Sequence, residues 1–308
     1  MVNPTSSPKA HILSRLRASG DPVSGSYLAD ELGMSRVAVW KHLEALRQAG
    51  YDLVADREGY RLASEGDFLR PWEFPNRESR IVSYERTDST MDRALELGLA
   101  EPRCGAIVVA DSQTSGRGRW RRRWSSSKGG LFATLVLRPS IAPWGADRAA
   151  MAGGVALCEA LRDLTGERFS LEWPNDVYLA GRKAAGLLVE YLAEGEELRF
   201  LDLGIGVNVA NRAPGESAIS LRDLPGPTPT RRGLLAAFLD RFESIDLEWP
   251  GLADAWNALS SSRGKTVESY DGELLQGRAE GVDDEGRLVV SLADGRHAAF
   301  RPSEAHIA

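Results

Sequence analysis

The sequence has few of the residues that build metal centres and disulfide frameworks. Among 308 residues the only cysteines are Cys104 and Cys158, and two cysteines so far apart form neither a disulfide scaffold nor a Cys-x-x-Cys metal site. Histidine occurs four times and is absent between residues 43 and 296. This gap excludes a Ser–His–Asp triad or a histidine-bound metal centre from the body of the chain.

Long apolar runs and a strong net charge are missing as well. No stretch approaches the roughly 18–20 residues of a membrane helix, and the first residues lack the charged-then-apolar layout of a signal peptide. We therefore expect a cytoplasmic chain with no membrane partner. The length predicts two or three domains. Because the net charge is −6, any contact with nucleic acid must come from a local basic patch.

The first 65 residues have the pattern of a small DNA-binding module. Residues 24–33 begin with a serine and end with a glycine, as a short helix does. Ser35 is placed to cap a second helix over residues 36–49. Two apolar runs around a turn at residues 56–59 predict a β-hairpin. Helix, turn, helix and hairpin form a winged helix-turn-helix; the alternative is a small helical module for protein contacts.

The second helix would contact DNA with the face opposite to its apolar stripe. Val39, Leu43 and Leu46 recur at helical spacing and are expected to face the core. The N-terminal end of such a helix enters the major groove. We expect the DNA contacts to come from Ser35, Arg36, Val37, Trp40 and Lys41.

The remainder of the chain mixes strands and helices and then changes character. Apolar runs at 105–110, 131–137 and 200–209 predict buried strands, and residues 148–164 and 231–242 predict helices. After residue 263, short strands joined by Asp-Gly or Glu-Gly turns predict a small β-barrel. The expected division is a winged helix-turn-helix (1–66), a linker (67–78), a mixed α/β domain (79–262) and a barrel (263–308).

An arginine-rich loop follows the first predicted strand of the α/β domain. Residues 117–123 contain five arginines in an otherwise acidic chain. Gly116 and Gly118 let the backbone wrap closely around a ligand, and guanidinium groups pair with phosphate or carboxylate oxygens. The loop is a candidate polyanion site; the alternatives are a solvated basic turn and a second nucleic-acid patch.

A second candidate segment begins at Glu172. Its Trp-Pro-Asn-Asp turn places an aromatic ring beside an amide and a carboxylate, and Asp176 suits either Mg²⁺ or a lysine as its partner. Lysine occurs only five times in the chain, and Lys183 stands at the start of the apolar run 184–190. A lysine there is either a rim residue or a group that meets an anionic substrate.

Together these segments resemble the family of bifunctional biotin–protein ligases and biotin-operon repressors. The family markers are Ser-Gly-Arg-Gly-Arg before a tryptophan, Trp-Pro-Asn-Asp, Arg-Lys-x-Ala-Gly-Leu-Leu-Val-Glu and Gly-x-Gly-x-Asn, and they occur in family order and spacing. Asp-Ser-Thr-Met at residues 88–91 and the helix-turn-helix at residues 31–43 also match. The resemblance extends from about residue 8 to residue 300.

The resemblance implies an α+β multidomain fold and a two-step reaction. The N-terminal winged helix-turn-helix would precede a central ligase domain related to class II synthetases and an SH3-like C-terminal β-barrel. Biotin and ATP would form biotinyl-5′-AMP, and biotin would then pass to a lysine in the biotin carboxyl carrier domain of acetyl-CoA carboxylase. Mg²⁺ would accompany ATP, with no tightly bound metal. The adenylate would act as corepressor for a homodimer that binds operator DNA.

The resemblance also assigns site residues. The catalytic residues are Lys183, Arg117 and Arg119. The biotin-binding residues are Ser89, Thr90, Met91, Gln113, Arg117, Gly118, Arg119, Lys183 and Gly186. The nucleotide-binding residues are Arg119, Trp124, Asn175, Asp176, Lys183 and Asn208, and Asp176 is the candidate Mg²⁺ ligand. These assignments agree with the chemistry, because adenylation of a carboxylate beside phosphates requires fixed cations and exclusion of water more than a general base.

Three positions depart from the family pattern. Met91 stands where the family usually has asparagine, Glu172 where it has lysine, and Arg121 where glycine is common. Two other functions remain open: a biotin-sensing regulator without catalysis, and a lipoate–protein ligase. The intact arginine loop and Lys183 argue against lost catalysis, and the N-terminal module argues against the lipoate ligase.

Overall fold

The computed structural model describes residues 7–100, 105–269 and 276–307. Cys104 and residues 270–275 of the predicted β-barrel lie outside the described residues. The chain divides into two compact units, the first ending at Ser83 and the second beginning at Tyr84. Among the described helices, none has both the length and the apolar character that a membrane span requires.

The first unit is the predicted helix-turn-helix with its hairpin. Its helices are α1 (Pro8–Ala18), α2 (Gly25–Leu32) and α3 (Arg36–Gln48). Antiparallel strands β1 (Asp52–Ala55) and β2 (Tyr60–Ser64) form the hairpin.

Local capping explains where these helices begin and end. Ser24 and Ser35 accept hydrogen bonds from the backbone N–H groups three residues later, which satisfies donors that a helix start leaves free. Gly33 ends α2 with a φ of 61°, in the left-handed region that favours glycine. The predicted stripe on α3 is buried in the core of this unit, so its opposite face is left for solvent.

A buried polar group stabilises the first unit next to its apolar core. The Glu73 carboxylate accepts hydrogen bonds from Arg17 at 2.9 Å and from the Tyr51 hydroxyl at 2.5 Å. Tyr51 in turn accepts from the Trp72 indole at 2.9 Å. Burial and the neighbouring Glu73 raise the pKa of Tyr51. The buried charge is therefore paired and hydrogen-bonded, as a charge away from water must be.

The described part of the second unit contains most of a seven-stranded sheet and four α-helices. In chain order its elements are β3 (Ile81–Tyr84, which spans the boundary), α4 (Thr90–Ala100), β4 (Ile107–Ala110), β5 (Leu131–Leu137), α5 (Ala146–Thr165), β6 (Ser170–Glu172), β7 (Asp176–Leu179), β8 (Arg182–Glu194), β9 (Glu197–Val207), α6 (Arg231–Phe242) and α7 (Leu252–Leu259). The strand order is β3-β4-β5-β9-β8-β7-β6. Neighbouring strands from β4 to β6 run antiparallel.

Side chains along β9 point alternately to the two faces of the sheet, and these two faces differ. On one face Leu203 packs against α5, where a Cβ at Gly153 would lie 3.1 Å from a Leu203 methyl. On the other face Gly204 and Gly206 approach Met91 and Trp124. Because glycine has no side chain, this second face is hollow between α4 and the arginine loop.

A small antiparallel sheet follows in the C-terminal part of the second unit. Its strands are β10 (Thr266–Ser269), β11 (Gln276–Val282), β12 (Leu288–Leu292), β13 (His297–Phe300) and β14 (Ala305–Ile307). Their order is β13-β12-β11-β10-β14. The predicted fold class is confirmed, whereas the domain boundaries remain predictions.

Candidate functional site

A cavity of about 590 Å³ lies over the glycine face of β8 and β9, wholly within the second unit. It brings together all the site residues assigned by resemblance outside the helix-turn-helix. They are Ser89, Thr90, Met91, Gln113, Arg117, Gly118, Arg119, Trp124, Asn175, Asp176, Lys183, Gly186 and Asn208. The roles given to them remain predictions.

Neutral hydrogen-bonding groups line one end of the cavity, at the start of α4. Gln113 Oε1 accepts from the backbone N–H of Thr90 at 2.7 Å, and Gln113 Nε2 donates to Ser126 Oγ at 2.8 Å. Thr134 Oγ1 donates to Thr90 Oγ1 at 2.9 Å. Ser89 and Thr90 are buried. This network holds the Gln113 amide in one orientation, which suits recognition of a neutral ligand with both donors and acceptors.

Met91 fills the space above a glycine of β9. Its side chain is buried, and a Cβ placed on Gly204 would lie 2.5 Å from the Met91 sulfur. The methionine therefore gives this part of the wall a flexible apolar surface. This chain therefore has an apolar side chain where the resemblance leads us to expect the polar side chain of asparagine.

The arginine loop forms a compact turn rather than an open coil. Gly118 N–H donates to the Arg122 carbonyl at 2.8 Å, and Trp124 N–H donates to the Gly116 carbonyl at 2.9 Å. Arg121 has a φ of 56°, in the left-handed region that costs an ordinary residue roughly 1 kcal/mol or more. Glycine, the residue that the resemblance leads us to expect here, would adopt this conformation without strain.

Two arginines of the loop are held in place by different partners. Arg117 contacts the carboxylates of Asp92 at 2.8 Å and Glu190 at 3.1 Å. Arg119 donates to the backbone carbonyl of Pro302, in the C-terminal part of the second unit. Both guanidinium groups line the cavity. The loop thus places positive charge along one wall.

The indole of Trp124 lies flat against the glycines of the sheet. A Cβ on Gly206 would lie 2.5 Å from the indole Nε1, and one on Gly186 would lie 3.2 Å from its Cζ3. Within the described part of the chain, the buried Nε1 has no hydrogen-bond partner. An aromatic face with a free N–H inside a cavity suits a planar heterocycle.

Lys183 and Asp176 form an ion pair beside the tryptophan. The lysine Nζ donates to Asp176 Oδ2 at 2.5 Å and lies 5.4 Å from the centre of the Trp124 ring. Burial raises the pKa of Asp176, and the charge of Lys183 opposes that rise. Asp176 therefore has a lysine as its partner, one of the two partners that the sequence analysis left open.

Glu172, which is negative where the resemblance leads us to expect a positive lysine, forms an ion pair with a distant residue. Its carboxylate accepts from the ammonium group of Lys265, which lies 93 residues away. Burial, followed by the charge of Glu172, raises the pKa of Tyr178 on the neighbouring strand. The negative charge of Glu172 is thus compensated locally by Lys265.

Hydrogen bonds hold the side chains of Asn208 and Asn175 in place. Asn208 is buried, and its Oδ1 accepts from Asn211 Nδ2 at 3.0 Å. Asn175 donates its amide to the Leu187 carbonyl. Trp173, before a cis proline, donates from its indole to the Gly286 carbonyl at 3.1 Å. These bonds hold the strand ends that border the cavity.

Several residues that line the cavity were not predicted as site residues from the sequence. Trp173, Tyr178, Ala218, His306 and Ile307 also border the cavity. His306 lies in β14, far along the chain from every motif, so no local pattern connects it to the site. For Trp173 the Trp-Pro-Asn-Asp motif was a usable signal, since it includes that residue.

The predicted DNA-contacting residues share one face in the first unit. Ser35, Arg36, Val37, Trp40 and Lys41 are all exposed. Val37 is 63% and Trp40 is 50% exposed, which is unusual for large apolar side chains without a partner surface. The exposed face combines two cations with apolar groups at the N-terminal half of α3, as a major-groove helix does.

Comparisons with known proteins agree with this architecture. Residues 83–208 match the biotin/lipoate A/B protein ligase family, residues 9–61 match a helix-turn-helix domain, and residues 266–300 match the biotin protein ligase C-terminal domain. The chain is 32% identical to the bifunctional ligase/repressor BirA of Bacillus subtilis, over 91% of this chain and 92% of that protein.

Two further relatives match more than two thirds of the chain. The biotin–[acetyl-CoA-carboxylase] ligase of Paracoccus denitrificans is 35% identical over 68% of this chain and 94% of its own length. The biotin protein ligase of Aquifex aeolicus, solved with biotin and ATP, superimposes with a TM-score of 0.62. It is 26% identical, and the match covers 74% of this chain and 99% of that one.

Proposed function

The chain belongs to the family of bifunctional biotin ligases and repressors, and we propose that its second unit ligates biotin while its first unit binds DNA. One observation carries the ligase assignment. A pocket of neutral hydrogen-bonding groups lies in the same cavity as five arginine and lysine residues, among them Arg117, Arg119 and Lys183. Such a cavity suits a neutral head group joined to a carboxylate that must meet phosphates.

The neutral end of the cavity is the proposed site for the ureido ring of biotin. Ser89, Thr90 and Gln113 supply both donors and acceptors there, and the uncharged ring requires both. Met91 adds an apolar contact suited to the thioether ring and the aliphatic tail. The tail then directs the carboxylate towards Lys183.

In the first step a carboxylate oxygen of biotin attacks the α-phosphorus of ATP. The bond to the β-phosphate oxygen breaks, so pyrophosphate leaves and biotinyl-5′-AMP remains. Negative charge accumulates between the carboxylate and the α-phosphate during this attack. Lys183 is held near this position by Asp176, the loop arginines lie in the same cavity, and positive charge placed in this way is the main source of catalysis in such sites.

In the second step the ε-amine of an acceptor lysine attacks the carbonyl carbon of the mixed anhydride. The bond between this carbon and the phosphate oxygen breaks, AMP leaves and the amine proton passes to water. The acceptor we propose is the biotin carboxyl carrier domain of acetyl-CoA carboxylase. Arg119 and the turn around it would retain the anhydride and keep water away until the acceptor arrives.

ATP brings Mg²⁺ in this proposal, and the residues present fit such an ion. Mg²⁺ is bound by one or two carboxylates together with substrate phosphates, and Asp176 borders the cavity beside Lys183. When bound, Mg²⁺ neutralises part of the phosphate charge. Asp176 also orients Lys183. Trp124 is the proposed contact to the base of ATP, and Asn208 is a further proposed contact to the nucleotide.

The first unit supports the repressor role through the exposed face of α3. Arg36 and Lys41 would contact DNA phosphates, while Val37 and Trp40 would contact base edges or sugars. A dimer would place two such helices about one helical turn apart on operator DNA. We propose that the adenylate favours this homodimer and so acts as corepressor, because a ligand strengthens the state that it binds better.

A transfer assay tests the ligase assignment. The chain is incubated with biotin, MgATP and the carrier domain of acetyl-CoA carboxylase, and biotin transfer is scored as a shift with streptavidin. We expect a complete shift that requires both biotin and ATP. A carrier modified by lipoate and not by biotin would identify a lipoate ligase, and tight biotin binding without transfer would identify a regulator that lacks catalysis.

A further inference from the structure

A buried carboxylate lies behind the arginine that the loop places in the cavity. Asp202 on β9 is only 3% exposed, and it pairs across the sheet with Glu190 on β8. Directly opposite residues in antiparallel strands project from the same face. Glu190 in turn contacts Arg117 of the loop at 3.1 Å, and Arg117 also contacts Asp92 on α4 at 2.8 Å.

The hydrogen bonding of this cluster is incomplete. Among the described residues, neither the buried Oδ1 of Asp202 nor the buried Nε of Arg117 has a hydrogen-bond partner. A buried acceptor left without a donor costs free energy. An ionised Asp202 therefore depends on the nearby positive charge of Arg117 more than on direct bonds.

The charged groups that face Asp202 come from each element packed around it. Burial and the negative charge of Glu190 raise the pKa of Asp202 to about 7, while the charges of Arg117 and Arg138 lower it. Arg138, just after β5, is committed to the backbone carbonyls of Arg199 and Gly98. Asp92 on α4 acts through Arg117. Of the two cations near Asp202 in the described part of the chain, Arg138 is bonded to backbone carbonyls, whereas the guanidinium group of Arg117 is paired with side-chain carboxylates.

Building on the proposed function, we propose that Asp202 is a positioning residue that takes up a proton when Arg117 leaves Glu190 and Asp92 to contact the anionic ligand. The guanidinium group carries its charge away with it, and the carboxylate of Asp202 accepts a proton from solvent to become neutral. Closure of the arginine loop over the adenylate is thereby coupled to proton uptake. Glu190 and Asp92 are partly exposed, so water stabilises their charge after Arg117 leaves.

The affinity for the anionic ligand should depend on pH, because binding is linked to proton uptake. Because a proton is taken up on binding, the ligand binds more tightly as the pH falls. The effect disappears at low pH, where Asp202 is already protonated without ligand. Near pH 7.5, uptake of about half a proton corresponds to about a threefold loss of affinity per pH unit.

Calorimetry measures this proton directly. The probe is a non-hydrolysable analogue of the adenylate, the phosphate ester of AMP with biotinol, in which an alcohol replaces the carboxyl group of biotin. It is titrated into the full chain at pH 7.5, in two buffers with different enthalpies of ionisation. We expect uptake of about half a proton for the parent chain and almost none for Asp202→Asn. Glu197→Gln is the matched control, because Glu197 lies on the same strand but is exposed, and it should behave as the parent chain does.

Equal proton uptake by the parent chain and Asp202→Asn, or no uptake by the parent chain, would overturn the proposal. If Asp202→Asn does not fold, carbon-13 NMR of the parent chain decides instead, through a rise in the Asp202 pKa on addition of the ester. A constant pKa would count against the proposal. Carrier biotinylation is measured in parallel, so that transfer without proton uptake contradicts only this inference, whereas absence of transfer contradicts the ligase assignment.

Discussion

Replacing Lys183 with alanine should remove the cation that we propose lies beside the reacting carboxylate and α-phosphate. The ammonium lies 2.5 Å from Asp176 and beside the Trp124 ring, and its side chain is 31% exposed. Loss of one preorganised contact to developing charge typically costs ~3–4 kcal/mol. Because water can partly enter this site, we expect the lower end of the corresponding range, a loss of about a hundredfold in the rate of adenylation.

The same change has a separate effect on stability. Without Lys183, burial of Asp176 is no longer opposed by a positive charge, so the pKa of that carboxyl rises further above its usual range. An ionised Asp176 then costs roughly 1–3 kcal/mol of unfolding free energy. At low pH the carboxyl is protonated and this cost is absent, so the difference in Tm between parent and variant should shrink as the pH falls.

ATP–pyrophosphate exchange measures the first step without the carrier. Arg182→Ala is the matched control, since Arg182 is the preceding residue on β8, is exposed and does not border the cavity. The control should exchange at the parent rate. Exchange by Lys183→Ala at the parent rate, in a variant shown to be folded, would refute the assigned role.

Further predictions address the loop, the indole and the DNA-binding face. Arg119→Gly should release the adenylate about ten- to a hundredfold faster, as expected for loss of one charge-assisted contact, and label unrelated lysines; unchanged off-target biotinylation would contradict this. Gly206→Ala should displace the Trp124 indole, which a Cβ would approach to 2.5 Å, and weaken ATP binding about tenfold; equal ATP affinity in calorimetry would count against the stacking role. Alanine at both Arg36 and Lys41 should lower the salt slope of operator binding by roughly two and leave biotin transfer intact, and footprinting of the DNA upstream of biotin genes that shows the same protection as the parent would exclude this face.

Elements with local signals could be read from the sequence with little error. Helix α3 begins at Arg36, the residue after Ser35, as predicted, because the Ser35 side chain caps the helix through the backbone N–H of Ala38. Strand β5 and helix α6 have the predicted bounds. The predicted helix at 148–164 extends by a residue or two at each end, to Ala146–Thr165, and the predicted strand at 105–110 begins later, at Ile107.

The sequence by itself also determined which residues would meet in the cavity, through motifs whose order and spacing match one family. Only the tertiary structure decided their partners. Glu172 meets Lys265 across 93 residues, Met91 fills the space above Gly204, and His306 reaches the cavity from the last strand. Caps, turns and apolar periodicity act over a few residues and are visible in any window of the chain. Pairing between distant residues depends on strand register and on which sheet face is hollow, and these arise only when the whole unit packs.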